Sequence, residues 1–173
     1  MAGDDISRYY FDTNIFLDWL NRNQARSDST AVAGLMQQVL ENQVNLITSQ
    51  ITRLEILQCK TDDTPYRTWL RLQARRNVVI QPATIKVMDL TLEIRDFYQR
   101  QRDTGEIQKR TISVPDAIHI ATAIYHGADE MFTFDAGKTD KKTLSPSDLT
   151  SPIVGQYDLK ISAPEGINGA FAV

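Results

Sequence analysis

Apolar residues in this chain cluster in two ways. Short β-prone runs fall at residues 8–11, 44–48, 78–80, 131–134 and 159–161. The first ends at Asp12, the second at Ser49, the third just before Pro82 and the fourth at Asp135. Between them lie longer segments with helical spacing. Residues 31–43 and 51–59 repeat apolar positions every three or four residues. In 82–101, Val87, Leu90, Ile94 and Phe97 recur at such steps, with Pro82 near the start and Gly105 beyond the end. Ser113-Val-Pro-Asp116 has the form of a capping box, and Gly127 stops the helix that follows. Short strands alternating with longer helices predict an α/β fold with a mainly parallel sheet covered on both faces. The segment after Thr143, rich in Ser, Pro and Gly, predicts loop plus one last strand.

Composition narrows the class. The chain has 173 residues, 42% hydrophobic and 24% charged, which suits one globular domain spanning 1–173. Its single cysteine, Cys59, excludes an internal disulfide and predicts a reducing, cytoplasmic setting. No apolar run is long enough to span a membrane. Residues 1–8 are polar and acidic, unlike a secretory signal. The net charge of −3 gives no bulk attraction to nucleic acid, so a polyanion would need local basic patches or a metal.

The acids carry the chemistry. In parallel α/β sheets, ligands sit at the carboxyl ends of the strands. Asp12 and Asp135 each follow a predicted strand directly. Asp116, in the first turn of the helix before the 131–134 strand, falls on the same edge. Glu55 lies six residues past Ser49, about 9 Å from its helix start, and a side chain leaning toward the N-terminus recovers part of that. Four carboxylates together repel; two at 4 Å cost about 4 kcal/mol at an effective dielectric near 20. No basic residue neighbours any of them in sequence, so a divalent cation is the simplest compensation. Oxygen ligands favour Mg²⁺ or Mn²⁺. Cys59, His119 and His126 lack zinc-ligand spacing. Such a centre suits phosphodiester hydrolysis.

Each acid taken singly has an ordinary explanation. Asp12-Thr-Asn14 can be a strand-to-helix turn, Asp116 a capping residue, Glu55 a rim position and Asp135 a loop opener. His119, one turn from Asp116, reads as a partly buried helix residue rather than a general base, and Cys59 as a structural thiol. Four such residues on one edge are harder to dismiss together.

At this point the chain resembles the PIN-domain nucleases. Four stretches carry the likeness: Tyr10-Phe-Asp-Thr-Asn-Ile-Phe-Leu17, Thr48-Ser-Gln-Ile-Thr-Arg-Leu-Glu55, Pro115-Asp-Ala-Ile-His-Ile-Ala-Thr-Ala123 with Gly127, and Phe132-Thr-Phe-Asp135. The acids are separated by 43, 61 and 19 residues, in the family's order. The resemblance implies a three-layer α/β/α sandwich and a metal-dependent ribonuclease. It implies that Asp12, Glu55, Asp116 and Asp135 are the catalytic, metal-binding set, supported by Asn14 and Thr133. Many bacterial relatives are VapC-type toxins, silenced by a small antitoxin, and a homodimer is expected on the same ground. The chain is longer than the shortest toxins, with additional residues around 62–76 and 103–111.

RNA would need a basic rim. Arg67, Arg71 and Arg75 recur every four residues on one helical face, with Arg76 beside them and Trp69 and Leu72 anchoring the other. Arg102, Lys109 and Arg110 surround Gly105 in what reads as a mobile basic loop near Asp116, and Lys138, Lys141 and Lys142 follow Asp135. A solvated helix face is the ordinary explanation of the arginines. The alternative class is a non-catalytic PIN-like module that binds RNA or protein without cleavage. A haloacid-type phosphatase would want Asp where Asn14 stands, and a phospho-receiver Lys where Asp135 stands.

Overall fold

The computed structural model describes residues 6–21, 29–58, 63–135 and 143–165. Cys59, Lys138, Lys141 and Lys142 lie outside them. In chain order the elements are β1 (Arg8–Phe11), α1 (Thr13–Asn21), α2 (Ser29–Leu40), β2 (Asn45–Ser49), α3 (Gln50–Gln58), α4 (Asp63–Gln73), β3 (Val78–Gln81), α5 (Ile85–Asp103), α6 (Val114–Tyr125), β4 (Glu130–Phe132), a 3₁₀ turn (Pro146–Asp148) and β5 (Lys160–Ser162).

The strands form one five-stranded sheet in the order β3-β2-β1-β4-β5, and every pairing is parallel. Successive strand residues point to opposite faces, and both faces are buried. Tyr10, Ile47 and Met131 enter the core shared with α5, α6 and the C-terminal segment. Their neighbours Phe11, Leu46 and Phe132 enter the core shared with α1 to α4. The expected three layers follow from that alternation. The chain leaves central β1 toward β2 and β3, then returns to its other side as β4. The order therefore reverses between β1 and β4, and a crevice opens there at the strands' carboxyl ends.

Local chemistry sets the boundaries. Ser49 accepts hydrogen bonds from the backbone N–H groups of Ile51 and Thr52, starting α3 where its sequence position implied. Helix α5 starts at Ile85 rather than 82, because Thr84 caps it and accepts from the Val87 N–H at 3.3 Å. Ser113 caps α6, and Gly127 ends it at φ +65°, where an added Cβ would lie 3.1 Å from Arg8 Nη1. The expected strand 131–134 stops at Phe132: the Thr133 N–H still donates to the Ser162 carbonyl, but the next two N–H groups turn to side chains. The Phe134 N–H donates to Asn14 Oδ1 and the Asp135 N–H to Thr133 Oγ1, both at 3.0 Å.

Two expectations about basic residues need correction. Arg75 does not extend the arginine face of α4, which ends at Gln73. Its guanidinium donates to the Leu40 carbonyl and to Asn42 Oδ1 at 3.2 Å, where a cation complements the end of α2. The loop after α5 is not a free basic loop. Arg102 belongs to the last turn of α5, Lys109 Nζ sits 2.8 Å from both carboxylate oxygens of Asp148, and the Arg110 backbone, not its exposed side chain, bridges to Thr143.

Asn77 joins the sheet to the turn after α2. Its Nδ2 donates to the Val39 and Val44 carbonyls at 2.8 and 2.9 Å in a buried setting. Asn77→Ala leaves both carbonyls without that donor and is expected to cost about 2 kcal/mol. A urea midpoint unchanged from wild type would contradict that assignment.

Candidate functional site

The crevice at the β1/β4 reversal is a cleft of about 400 Å³ lined by Asp12, Thr13, Asn14, Leu17, Glu55, Gln58, Asp116, His119 and Asp135. All four acids singled out from the sequence therefore meet one cavity. Each arrives by a different route: Asp12 from the end of β1, Glu55 from the second turn of α3, Asp116 from the first turn of α6, and Asp135 from the segment after β4. A somewhat larger hollow of about 470 Å³ lies between α5, α6 and Tyr157. Its Glu93 is already held by Tyr157 Oη and Gln156 Nε2.

Asp12 is 6% exposed, so its charge needs compensation. Oδ1 accepts the Thr13 backbone N–H at 2.6 Å. Oδ2 accepts Thr133 Oγ1 at 2.6 Å and Asn14 Nδ2 at 2.9 Å. Asn14 also donates to Thr133 Oγ1 at 3.1 Å. Asn14 and Thr133 thus orient Asp12 and, through the Phe134 and Asp135 N–H groups, shape the turn that carries Asp135.

Thr13, Tyr10 and His119 carry contacts that the sequence reading missed. Thr13 Oγ1 donates to Glu55 Oε2. His119 is 2% exposed, and its Nε2 lies 3.4 Å from Glu55 Oε2 and 3.6 Å from Asp12 Oδ1. Its Nδ1 meets the Tyr10 hydroxyl at 2.7 Å, with Ser49 Oγ at 3.5 Å. The compensation thought to require a cation alone comes partly from this ring. Its only sequence signal was the spacing of three residues from Asp116.

Electrostatics separate the acids. His119 beside Glu55 holds that carboxyl below its usual range, assisted by Thr13 and against the effect of burial. Burial pushes the Asp116 carboxyl up; the charges of Asp135 and Asp12 add to this, and the Ser113 hydroxyl opposes it. Burial works against a charged His119, but the hydrogen bond to Glu55 and the charges of Asp12, Glu55 and Asp116 outweigh it, so its pKa lies above the ordinary value. Burial drives the Tyr10 phenol far upward, so it stays protonated.

The donor set fits a hard divalent cation: carboxylate oxygens dominate, and the one imidazole faces other side chains. Among the described residues, no three His, Cys, Asp or Glu side chains stand close enough together to hold a metal ion as placed. The acids line the cleft around the His119 contacts instead. Among the described residues, neither Arg nor Lys lines it. Among the described residues, Arg67, Arg71, Arg102 and Arg110 are exposed outside the lining, and Lys109 is half-buried against Asp148. No described helix is long and apolar enough to cross a membrane.

A solved structure agrees with this architecture. Among solved structures, DNA-bound VapBC from Salmonella typhimurium is similar at 14% identity and a TM-score of 0.53, over 91% of this chain and 98% of that one. VapBC2 from Rickettsia felis, bound to a DNA fragment from its promoter, is similar at 17% identity and a TM-score of 0.49, over 73% and 86%. A toxin–antitoxin complex from Klebsiella pneumoniae is similar at 22% identity and a TM-score of 0.46, over 80% and 97%. No curated protein matches the chain. The PIN domain model matches residues 9–142, which span β1 through the segment beyond Asp135, and the chain therefore belongs to the PIN domain family.

Proposed function

We propose that this protein is a metal-dependent endoribonuclease of the VapC type, hydrolysing RNA phosphodiester bonds in the acidic cleft. One observation carries the reading: Asp12, Glu55, Asp116 and Asp135, drawn from four separate segments, line a single cavity at the strand-order reversal. A non-catalytic module would have no need to gather four acids there.

Asp12, Glu55, Asp116 and Asp135 would hold Mg²⁺ or Mn²⁺. When bound, the cation supplies charge neutralisation on the phosphate and a lowered pKa for an attacking water. The protein's own groups set the rest. Asn14, Thr133 and the Thr13 N–H fix Asp12, while Thr13 Oγ1 and His119 hold one oxygen of Glu55. Ser113 Oγ donates to Asp116 Oδ2 at 2.7 Å and fixes that carboxylate.

The RNA backbone needs cationic groups around this negative centre. Arg67, Arg71, Arg102 and Arg110 are exposed and suited to phosphate; Arg75 donates to the Leu40 carbonyl and Lys109 pairs with Asp148. Family likeness supports a small antitoxin partner and a homodimer, in a cytoplasmic setting. Expression alone is then expected to arrest bacterial growth, and a co-expressed short partner that copurifies is expected to relieve it.

The test is RNA cleavage with Mn²⁺ or Mg²⁺ and with EDTA. Cleavage that needs the cation and stops with EDTA is expected. Intact RNA across varied substrates, despite added Mn²⁺, would return the protein to the binding-module class.

A further inference from the structure

We propose that His119 and Tyr10 form a positioning pair that sets the acids for cation binding. This rests on the reading of the cleft as a cation site and adds two residues to it. His119 lies three residues past Asp116 on α6. Its ring reaches across to the acids of two other segments, 3.4 Å from Glu55 Oε2 and 3.6 Å from Asp12 Oδ1. Tyr10, two residues before Asp12 on β1, holds the far side of the ring at 2.7 Å. The pair thereby ties α6 to β1 and α3, the elements that deliver Asp116, Asp12 and Glu55.

The direction of the hydrogen bonds follows from the neighbours. A ring nitrogen facing two carboxylates must carry a proton, since a lone pair there would meet two negative oxygens. Nε2 is therefore the donor, whether the ring is neutral or charged. In the neutral ring Nδ1 is then the acceptor, and the Tyr10 hydroxyl is placed to donate to it. The ring is 2% exposed, so few rotations remain open to it. Histidine–carboxylate partners of this kind orient the groups that hold a metal.

Thr13 Oγ1 and His119 both act on Oε2 of Glu55, which leaves Oε1 without a hydrogen bond among the described residues. Asp116 likewise has one oxygen, Oδ2, held by Ser113. Glu55 and Asp116 thus each have one oxygen fixed by the protein, and their orientation is set before a cation arrives. Loss of the Nε2–H would free Glu55 and Asp12 from α6 without removing a ligand.

Calorimetric titration of the full chain with MnCl₂, in the absence of RNA, tests the pair. His119→Leu is expected to weaken Mn²⁺ binding about 10–100-fold, the scale for a lost outer partner. His119→Gln, whose amide N–H can reach toward the Nε2 position, is expected to recover most of that loss. Tyr10→Phe keeps the ring volume and is expected to fall between them. Wild-type affinity in folded His119→Leu overturns the proposal, as does a Gln variant as weak as Leu. If His119→Leu does not fold, Tyr10→Phe decides, and wild-type affinity there overturns it. Wild-type protein that binds no Mn²⁺ overturns it as well. If the wild type binds Mn²⁺, responds to these variants and cuts no RNA, the nuclease reading fails while the pairing stands. Metal-dependent cleavage with wild-type affinity in His119→Leu gives the reverse.

Discussion

If Asp116 is the metal ligand proposed, Asp116→Asn is expected to lower metal-dependent RNA cleavage at least ~10²-fold, because the loss of an outer partner of a metal ligand already costs 10–100-fold and this change would remove a ligand itself. The substitution is nearly isosteric, and its side-chain oxygen can still accept the Ser113 hydroxyl. It also removes a charge that the protein holds against burial and against Asp135 and Asp12. In the ordinary sense of linkage, a carboxyl whose folded pKa is raised subtracts stability once pH passes its unfolded value. Metal-free Asp116→Asn is therefore expected to melt at or above the wild-type temperature near neutral pH. Added Mn²⁺ should raise the wild-type melting temperature through preferential binding to the folded state, and should raise the variant's much less. A merely structural aspartate would give the opposite pattern: lower stability, unchanged metal response and retained cleavage. Melting curves with Mn²⁺ or EDTA, beside a cleavage assay, separate the two.

Asp12→Asn is a less clean instrument. Both oxygens of Asp12 accept hydrogen bonds, so an amide would set its own N–H groups against Thr13, Asn14 or Thr133. Lost cleavage there would mix lost charge with a disturbed turn.

The acids were legible in the sequence because each stands at a place the topology makes visible. Asp12 ends an apolar strand, Asp116 sits beside a helix cap, and Glu55 lies a short way from Ser49. Parallel strands then send such positions to one edge. Thr13 was in view as part of the opening motif, but nothing local shows that its hydroxyl reaches Glu55. Tyr10 reads as core in a strand, and it is buried, yet its hydroxyl is what meets His119. These contacts join residues far apart in sequence, so no local spacing encodes them. The same limit misled the basic residues. A four-residue repeat placed Arg75 with Arg67 and Arg71, while the tertiary fold ends the helix first and turns Arg75 toward the end of α2.

Trp69→Ala is expected to cost about 3–5 kcal/mol, the range for truncating a large buried aromatic. Trp69 is fully buried and packs edge-to-face on Phe16, with ring centroids 5.0 Å apart. Its indole N–H has no acceptor among the described residues, so the side chain contributes through packing and against a polar penalty. Trp69→Phe should therefore be mild, below about 1.5 kcal/mol, because much of the ring volume stays and the unmatched N–H goes. For a domain of this length the alanine cost corresponds to a drop in melting temperature of roughly 6–20 °C, at about 2–4 °C per kcal/mol. Calorimetry on both variants checks the pair, and an alanine variant that melts like wild type would show that α4 is not held through this residue. Phe16 sits one turn after Thr13 on α1, whose first residues fix Asp12 and Glu55. Packing of α4 on α1 is thus part of what holds those donors in place. A Trp69→Ala protein assayed well below its melting temperature should lose Mn²⁺ affinity as well as stability, whereas Trp69→Phe should keep both.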